Sequence, residues 1–304
     1  MRPYFQQQLS LTTYFGRKKQ VWPSTCSREY YISFEDALWD LLPRYGLQKG
    51  STLLLPDFYC NDVLDNIRAH GYNVVLYRLD KQLLPDMQSF TTLIAECKPS
   101  VVIDFFVAGM PSERSKELQK QLNPDTLYIY DFVHVLVSPV VAELLTRPNT
   151  LILTSTRKVS PYFGSLVIYK DHILASANKV PVGYTTVAIL KWLVYLLLLR
   201  ISVVTSITYF AFLADSVLDS HDNLIGDAVN AAPLPKFFLN IHDHLNPEKV
   251  KGIRLAQYES YWKELQNCPQ VLMLDRSKEF APELRGFPIL IDNKYREKFL
   301  KECK

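Results

Sequence analysis

Short runs of hydrophobic residues alternate with amphipathic stretches along residues 33–170 of the chain. The first amphipathic stretch begins at Ser33, a residue type that caps helix N-termini, and its apolar positions then recur at helical spacing. Because short apolar strands that alternate with helices are typical of a parallel sheet covered on both faces, we expect a three-layer α/β sandwich around a mainly parallel central sheet. The pattern predicts strands over 51–55, 73–79, 100–106, 127–130, 150–154 and 165–169, and helices over 61–70, 87–97 and 115–121.

The segments on either side of this pattern differ from it. Residues 1–30 are polar with scattered aromatic residues, and we interpret them as an N-terminal arm that packs on the body or on a partner subunit. Residues 31–184 form the predicted large domain, 185–214 an apolar helical insertion, and 215–304 a linker and a small α+β domain. The small domain is predicted to hold a helix over 248–266, strands over 271–274 and 288–291, and a helix from Asn293. Since a sheet of two short strands is marginal alone, this domain is incomplete or unusually reduced.

The insertion contains a stretch, residues 192–214, in which Arg200 is the single charged residue. This stretch is long enough to cross a bilayer. A single span would separate residues 1–185 from the small domain, which the fold needs in contact. The alternatives are a helix at a subunit interface, a helix in the membrane surface, or a re-entrant hairpin, and the lack of a clean polar face favours a buried or shallowly inserted hairpin. We expect protruding helices with exposed Leu, Val and Phe side chains.

Composition narrows the function classes. The chain has 304 residues, 48% of them hydrophobic and 21% charged, as in soluble globular proteins. A net charge of +3, with no basic run longer than residues 17–19, does not indicate nucleic-acid binding. Five scattered cysteines without a CxxC pair indicate neither a disulfide framework nor a zinc site. The pair His242 and His244 lacks a third ligand, so no metal site is predicted. The first residues lack the apolar core of a signal peptide, so a reducing cytoplasm is the expected compartment.

Polar residues follow several predicted strands directly. Asp131 follows strand 127–130, the turn that ends in Lys158 follows strand 150–154, and residues 57–61 follow strand 51–55. In a parallel sheet, ligands bind beyond the carboxyl ends of the strands. A lysine forms an imine with an aldehyde, and a carboxylate keeps a ring nitrogen protonated so that the ring accepts electrons. Asp131 and Lys158 can therefore serve one cofactor.

Seven segments resemble, in order, motifs of the DegT-type sugar aminotransferases, a branch of the fold-type-I pyridoxal-phosphate enzymes. The resemblance covers residues 30–170, with one further segment in the small domain. The segments are GSTLLLPDFYC (50–60), GYNVVLYRLD (71–80), LPD (84–86), VVIDFFVAGMP (101–111), YDFVH (130–134), STRK (155–158) followed by GSLV (164–167), and FPI (287–289).

The resemblance implies pyridoxal phosphate as the cofactor, with Lys158 binding its aldehyde and Asp131 pairing with the pyridine nitrogen. His134 matches a position near the cofactor ring, although a packed or capping histidine is a close alternative. Ser155 matches a phosphate-binding hydroxyl or is a turn hydroxyl. Ser33 lies where the family holds the phosphate, and Cys60 lies where many members stack an aromatic residue on the ring. The implied reaction is transamination of a nucleotide-linked keto-sugar with an amino-acid donor, by a homodimer.

One departure from the family pattern supports a rival hypothesis. Phe34 replaces a small residue at the start of the first long helix, and Glu35 and Asp36 would repel a phosphate dianion there. The alternative function is a catalytically degenerate relative with a binding or scaffolding role. Either protein would be cytoplasmic, with residues 192–214 able to contact the inner face of the cell membrane.

Overall fold

The computed structural model describes residues 16, 18–159, 164–170, 173–176, 182–225 and 233–302. The interpretation of residues 1–15 as an arm falls outside these residues. The strands are β1 (Cys26–Tyr31), β2 (Thr52–Pro56), β3 (Asn73–Tyr77), β4 (Val101–Phe105), β5 (Leu127–Phe132), β6 (Thr150–Thr154), β7 (Ser165–Lys170), β8 (Val271–Met273) and β9 (Ile289–Ile291). The helices are α1 (Phe34–Arg44), α2 (Asn61–Ala69), α3 (Met87–Cys97), α4 (Ser115–Lys120), α5 (Val182–Thr205), α6 (Thr208–Asp222), α7 (Lys236–Asp243), α8 (Pro247–Leu265) and α9 (Asn293–Glu302).

The first seven strands form one sheet in the order β1-β7-β6-β5-β4-β2-β3. Strands β3, β2, β4, β5 and β6 run parallel, whereas β7 is antiparallel to both of its neighbours. The predicted α/β class with a mainly parallel sheet is confirmed. Strands β8 and β9 form a separate antiparallel pair. All five parallel strands therefore present their carboxyl ends at one edge of the sheet.

Both faces of the sheet are covered, because alternate residues of each strand point to opposite sides. Leu53 and Leu55 lie in a cluster with α1 and α2, whereas Leu54 lies in a cluster with α3, α4 and α5. All three side chains are fully buried. Burial of one such leucine contributes about 1.5–3 kcal/mol, so these two clusters hold the three layers together.

Strand β1 corrects the boundary of the predicted arm, since residues 26–30 belong to the sheet. The sequence of this strand is polar, and its charged residues pair with oppositely charged residues elsewhere in the chain. Arg28 forms an ion pair with Asp243, and Glu29 accepts a hydrogen bond from Arg44 at 2.6 Å. Tyr31 is completely buried. The charges fit an edge strand, a position where charge discourages pairing with another chain.

The apolar insertion, expected over residues 185–214 as protruding helices, contains the two helices α5 and α6, which pack on each other and extend to Asp222. One stripe of α5 packs on the sheet domain through Ala188, Trp192, Tyr195 and Leu199. The opposite side is exposed, and the prediction of exposed apolar side chains is confirmed. The exposed residues include Leu190 (58%), Leu193 (55%), Leu197 (59%), Val204 (76%) and Phe212 (69%). Among the described residues, α5 is the one helix long and apolar enough to cross a membrane.

The stretch predicted to be a polar linker contains a helix, α7, that docks on β1. Phe238 stacks on Tyr30 with ring centroids 6.0 Å apart. His242 is buried between the rings of Trp22 and Tyr30, and Asp243 is buried against Arg28. Both residues therefore have packing roles in the interface between α7 and the sheet.

Candidate functional site

Asp131 lies near the carboxyl end of the central strand β5, with 1% of its surface exposed. One carboxylate oxygen, Oδ1, accepts the backbone N–H of Val133 at 3.0 Å, and Oδ2 accepts the hydroxyl of Tyr59 at 2.6 Å. Burial raises the pKa of Asp131 to about 6, although these hydrogen bonds and the nearby charge of Lys158 lower it. Ionisation of this carboxyl group therefore costs free energy, and a cation placed beside the carboxylate would recover part of that cost.

Tyr59 was not predicted as a site residue, yet it contacts Asp131 directly. It lies in the loop after β2 that the sequence placed at this edge of the sheet. Burial, followed by the negative charge of Asp131, raises the pKa of Tyr59 well above its usual value, so its hydroxyl stays protonated and donates. Its ring meets Phe105 edge-on at 5.4 Å. The neighbouring Cys60 is an exposed free thiol at the start of α2 and forms no cap hydrogen bond.

Lys158 ends a short 3₁₀ turn directly after β6. This turn lies beside the end of β5, because β6 pairs with β5 in parallel and Thr154 is opposite Phe132. The positive charge of Lys158 lowers the pKa of both Asp131 and His134. The backbone carbonyl of Lys158 accepts a hydrogen bond from Arg285 Nε at 3.0 Å. Ser155, at the start of the same turn, is buried and its hydroxyl forms no cap hydrogen bond.

His134 lies beside the Phe105 ring, with ring centroids 5.1 Å apart. Its Nδ1 accepts the backbone N–H of Ala108 at 3.1 Å, and its Nε2 lies 3.3 Å from Arg285 Nη1. Burial lowers the pKa of His134 to about 3, and the positive charges of Arg285, Lys158 and Arg254 lower it further. The imidazole is therefore neutral at physiological pH.

Ser33 stands at the N-cap of α1, where its hydroxyl accepts the backbone N–H of Asp36 at 2.9 Å. The Asp36 carboxylate in turn accepts the hydroxyl of Tyr184, at 3.0 Å from each oxygen. The charge of Glu35, in the first turn of this helix, raises the pKa of Asp131. The structure thus places Ser33 in a capping role, beside two acidic residues.

Residues from the chain's last third complete the site, because the segment before β9 docks on the turn after β4. Gly109 has φ = +94°, and a Cβ there would lie 2.7 Å from the carbonyl oxygen of Glu283. The N–H of Arg285 donates to the carbonyl of Ala108 at 2.8 Å. Arg285 and Arg254 were not predicted as site residues; the sequence offered only the position of Arg285 two residues before the FPI segment.

The structure therefore brings Asp131, Lys158 and His134 together at the carboxyl edge of the parallel strands. Ser155, Ser33 and Cys60 lie at the ends of neighbouring elements. This arrangement provides a buried carboxyl group, an amine, a neutral imidazole and aromatic walls. Such a set can bind a planar aromatic ring with a basic nitrogen, and can hold or transfer a proton beside it.

Comparisons with known proteins show the fold. No family model matches the chain, and no curated protein matches it. The solved structure of the sugar aminotransferase CalS13 from Micromonospora echinospora aligns with a TM-score of 0.52 at 14% identity, covering 90% of this chain and 70% of that one. This likeness shows a shared fold.

Two partial alignments have lower TM-scores. Histidinol-phosphate aminotransferase from Sinorhizobium meliloti, solved in complex with pyridoxal-5'-phosphate, aligns at 0.40 with 14% identity over 47% of this chain. A NifS-like protein aligns at 0.42 with 14% identity over 51% of it. The chain spans 42% and 46% of these two proteins.

Proposed function

We propose that this chain is a pyridoxal-phosphate-dependent aminotransferase in which Lys158 and Asp131 bind the cofactor. The observation that carries the proposal is the position of the buried Asp131 near the carboxyl end of β5, with Lys158 in the turn directly after the neighbouring parallel strand β6. The carboxyl ends of parallel strands form the edge at which α/β proteins bind ligands. The shared fold with a sugar aminotransferase agrees with it.

The residues at the ring end of the site fit this cofactor. Asp131 has a pKa of about 6 because it is buried, and a protonated ring nitrogen would favour its ionised form. Each carboxylate oxygen can accept two hydrogen bonds, so Asp131 can accept a ring N–H in addition to the hydroxyl of Tyr59 and the N–H of Val133. When bound, the cofactor supplies an aldehyde for an amine and a ring that accepts electrons.

The roles of the chain's own groups follow from their positions. Lys158 Nζ would hold the aldehyde end of the cofactor and, once the amine of the substrate had displaced it, would move a proton at the substrate's Cα. Tyr59 and Val133 orient Asp131 through its two oxygens. The Phe105 ring packs between the rings of Tyr59 and His134 and supports both of these side chains.

The substrates belong to the same proposal at a finer level. We infer a nucleotide-linked keto-sugar as the amino acceptor and an amino acid as the donor, by the resemblance of the motifs to the DegT-type enzymes. The similarity to CalS13, a sugar aminotransferase, supports the sugar. A homodimer is the expected assembly.

A second candidate is a degenerate relative that binds or scaffolds without catalysis. The N-terminus of α1 supports it, because Glu35 and Asp36 occupy the first turn and Ser33 already caps the helix. In both candidates the exposed face of the α5–α6 pair contacts a second subunit or the inner face of the cell membrane through residues 192–214.

One experiment separates the two candidates. The purified protein is mixed with pyridoxal phosphate, scanned for a visible absorbance band, and reduced with borohydride. We expect the band, and a reduced adduct on the peptide that contains Lys158. Lys158→Ala should remain colourless, whereas the control Lys170→Ala, changed at the exposed end of β7, should behave as wild type. An adduct on another lysine would contradict the assignment, and no band would favour the degenerate relative.

A further inference from the structure

The helices α5 and α6 form a hairpin with two distinct ends. At one end, which we call the base, Lys191 Nζ on α5 donates to the carbonyl of Ser220 on α6 at 2.9 Å. At the other end the helices are joined by a short turn, since α5 ends at Thr205 and α6 begins at Thr208. We define residues 203–212 as the hairpin tip. The base and the tip differ in charge, exposure and hydrogen bonding.

The charged residues of the hairpin lie towards its base. The base carries Lys191 on α5 and the acidic residues of α6 from Asp215 onwards, whereas residues 201–214 contain no Asp, Glu, Lys or Arg. Arg200 marks the boundary between the two parts. The polarity of the hairpin therefore changes along its axis. A bilayer changes in the same order with depth, from water through headgroups to hydrocarbon, so the uncharged tip complements hydrocarbon and the charged base complements water.

The tip is exposed on every side. All of residues 203–209 are exposed. Val203, Val204 and Thr205 follow one another at about 100° around the helix axis, so their side chains face three different directions. A turn in water is usually built from Gly, Asn, Asp or other polar residues. The exposed apolar side chains of this tip are instead those of Val203, Val204, Ile207, Tyr209 and Phe212.

A second subunit fits the tip less well than lipid does. A stable interface uses about 20–30 residues from each partner and covers one face of each. The tip, residues 203–212, offers ten residues that face several directions. A partner would need a pocket that encloses them, whereas hydrocarbon covers an inserted tip from all sides.

The polar groups of the turn are satisfied within the hairpin. Ser202 Oγ donates to the carbonyl of Ile207 at 3.1 Å, and Thr205 Oγ1 donates to the carbonyl of Ile201 at 2.7 Å. Thr205 Oγ1 also accepts the N–H of Ile207 at 3.4 Å. An unsatisfied backbone group is strongly unfavourable in hydrocarbon, where no water replaces the missing partner. These groups can leave water and keep their hydrogen bonds.

We propose that the hairpin tip inserts into the surface of a lipid bilayer and holds the protein there. Arg200 precedes the end of α5 by five residues, or about 7.5 Å at the helical rise of 1.5 Å per residue. Interfacial segments bury their apolar residues about 5–10 Å deep. With the hairpin axis along the membrane normal, insertion to this depth places Arg200 among the headgroups, where long basic side chains are favourable.

This proposal narrows the contact suggested above for residues 192–214 to lipid, and to the tip. It does not depend on the cofactor or on catalysis.

The test mixes the full chain with vesicles that contain phosphatidylcholine and phosphatidylglycerol in equal amounts, and measures binding by flotation at low and at high salt. We expect the wild type to float with the vesicles at both salt concentrations, because salt screens charges and does not weaken apolar burial. A wild type that does not float at low salt, or that is released at high salt, would overturn insertion of the tip.

Substitutions assign the binding to the tip. Val204→Asp should lower the partition coefficient into the vesicles at least about tenfold, because a charge replaces a valine that leaves water on insertion. Tyr209→Asp, at a second exposed position of the tip, should have the same effect. The matched control Val182→Asp changes a similarly exposed valine at the other end of α5 and should bind as wild type. Wild-type binding by both tip variants would contradict the proposal.

A second copy of the chain at the tip would give a different result. The wild type would then be a dimer in analytical ultracentrifugation, Val204→Asp would be a monomer, and neither would float, which would overturn the lipid proposal. Borohydride labelling of Lys158 tests the cofactor separately. Protein that floats without labelling would contradict only the aminotransferase, and labelled protein that does not float would contradict only insertion of the tip.

Discussion

Tyr59→Phe should make the stability of the protein depend on pH in a way that the wild type does not. The substitution removes the hydroxyl that donates to Asp131 Oδ2 at 2.6 Å and retains the ring that packs on Phe105. A hydrogen bond to a charged group is worth about 1.5–3 kcal/mol, and one between neutral groups about 0.5–1.5 kcal/mol. The loss is therefore larger when Asp131 is ionised.

The pH range follows from the pKa of Asp131. Burial raises this pKa to about 6 in the folded protein. The contribution of Asp131 to wild-type stability therefore falls as the pH rises from the unfolded-state pKa to about 6, and it stays constant above about pH 6. Without the Tyr59 hydroxyl, the pKa should rise by about one further unit, equal to about 1.4 kcal/mol. The additional decrease in the free energy of unfolding of Tyr59→Phe should thus appear between about pH 6 and pH 8.

Urea denaturation at pH 5 and pH 8 measures this effect. We expect Tyr59→Phe to lower the free energy of unfolding by about 1 kcal/mol at pH 5 and by about 2–2.5 kcal/mol at pH 8. Tyr45→Phe is the control, because the Tyr45 hydroxyl donates to the backbone carbonyl of Asp125 and its loss should be equal at both pH values. An equal loss for Tyr59→Phe at both pH values would refute the interaction with an ionising carboxyl group.

Two further predictions concern the docking turn and the exposed helix pair. Gly109→Ala should lower the free energy of unfolding by at least about 1–3 kcal/mol, because φ = +94° strains an alanine and its Cβ would lie 2.7 Å from the Glu283 carbonyl oxygen. The control Gly46→Ala, at a position with positive φ but open space, should lower the free energy of unfolding less. Equal decreases in the two variants would argue against the close approach at Gly109. If lipid covers α5, the double substitution Leu193→Lys and Leu197→Lys should move the expressed protein from the membrane pellet to the supernatant. If the wild type is instead a soluble dimer and this variant is a monomer, the same face is a subunit interface.

The sheet was largely predictable because its strands carry local signals. The apolar runs over 150–154 and 101–105 differ sharply from the helices between them, and the observed strands match them closely. Strand β1 was missed because Arg28 and Glu29 look solvated in sequence, and their partners, Asp243 and Arg44, become neighbours only in the fold.

The site was predictable to the extent that it depends on strand ends. Asp131 and Lys158 each follow a recognisable apolar run, so sequence alone placed them at one edge. Tyr59 contacts Asp131, which is 72 residues away along the chain, and Arg285 contacts His134, which is 151 residues away. No local pattern distinguishes a loop tyrosine or a lone arginine that has such a partner from one that faces solvent.

The position of β1 in the sheet has a consequence for synthesis of the chain. Cys26 pairs with Lys170 and Tyr31 with Ser165, so β1 leaves the ribosome well before its partner β7 has been made. During that interval its unpaired backbone edge is open to association with other nascent chains. Arg28 and Glu29 then act as gatekeepers, since charge within a strand opposes intermolecular pairing before the same residues form their native ion pairs.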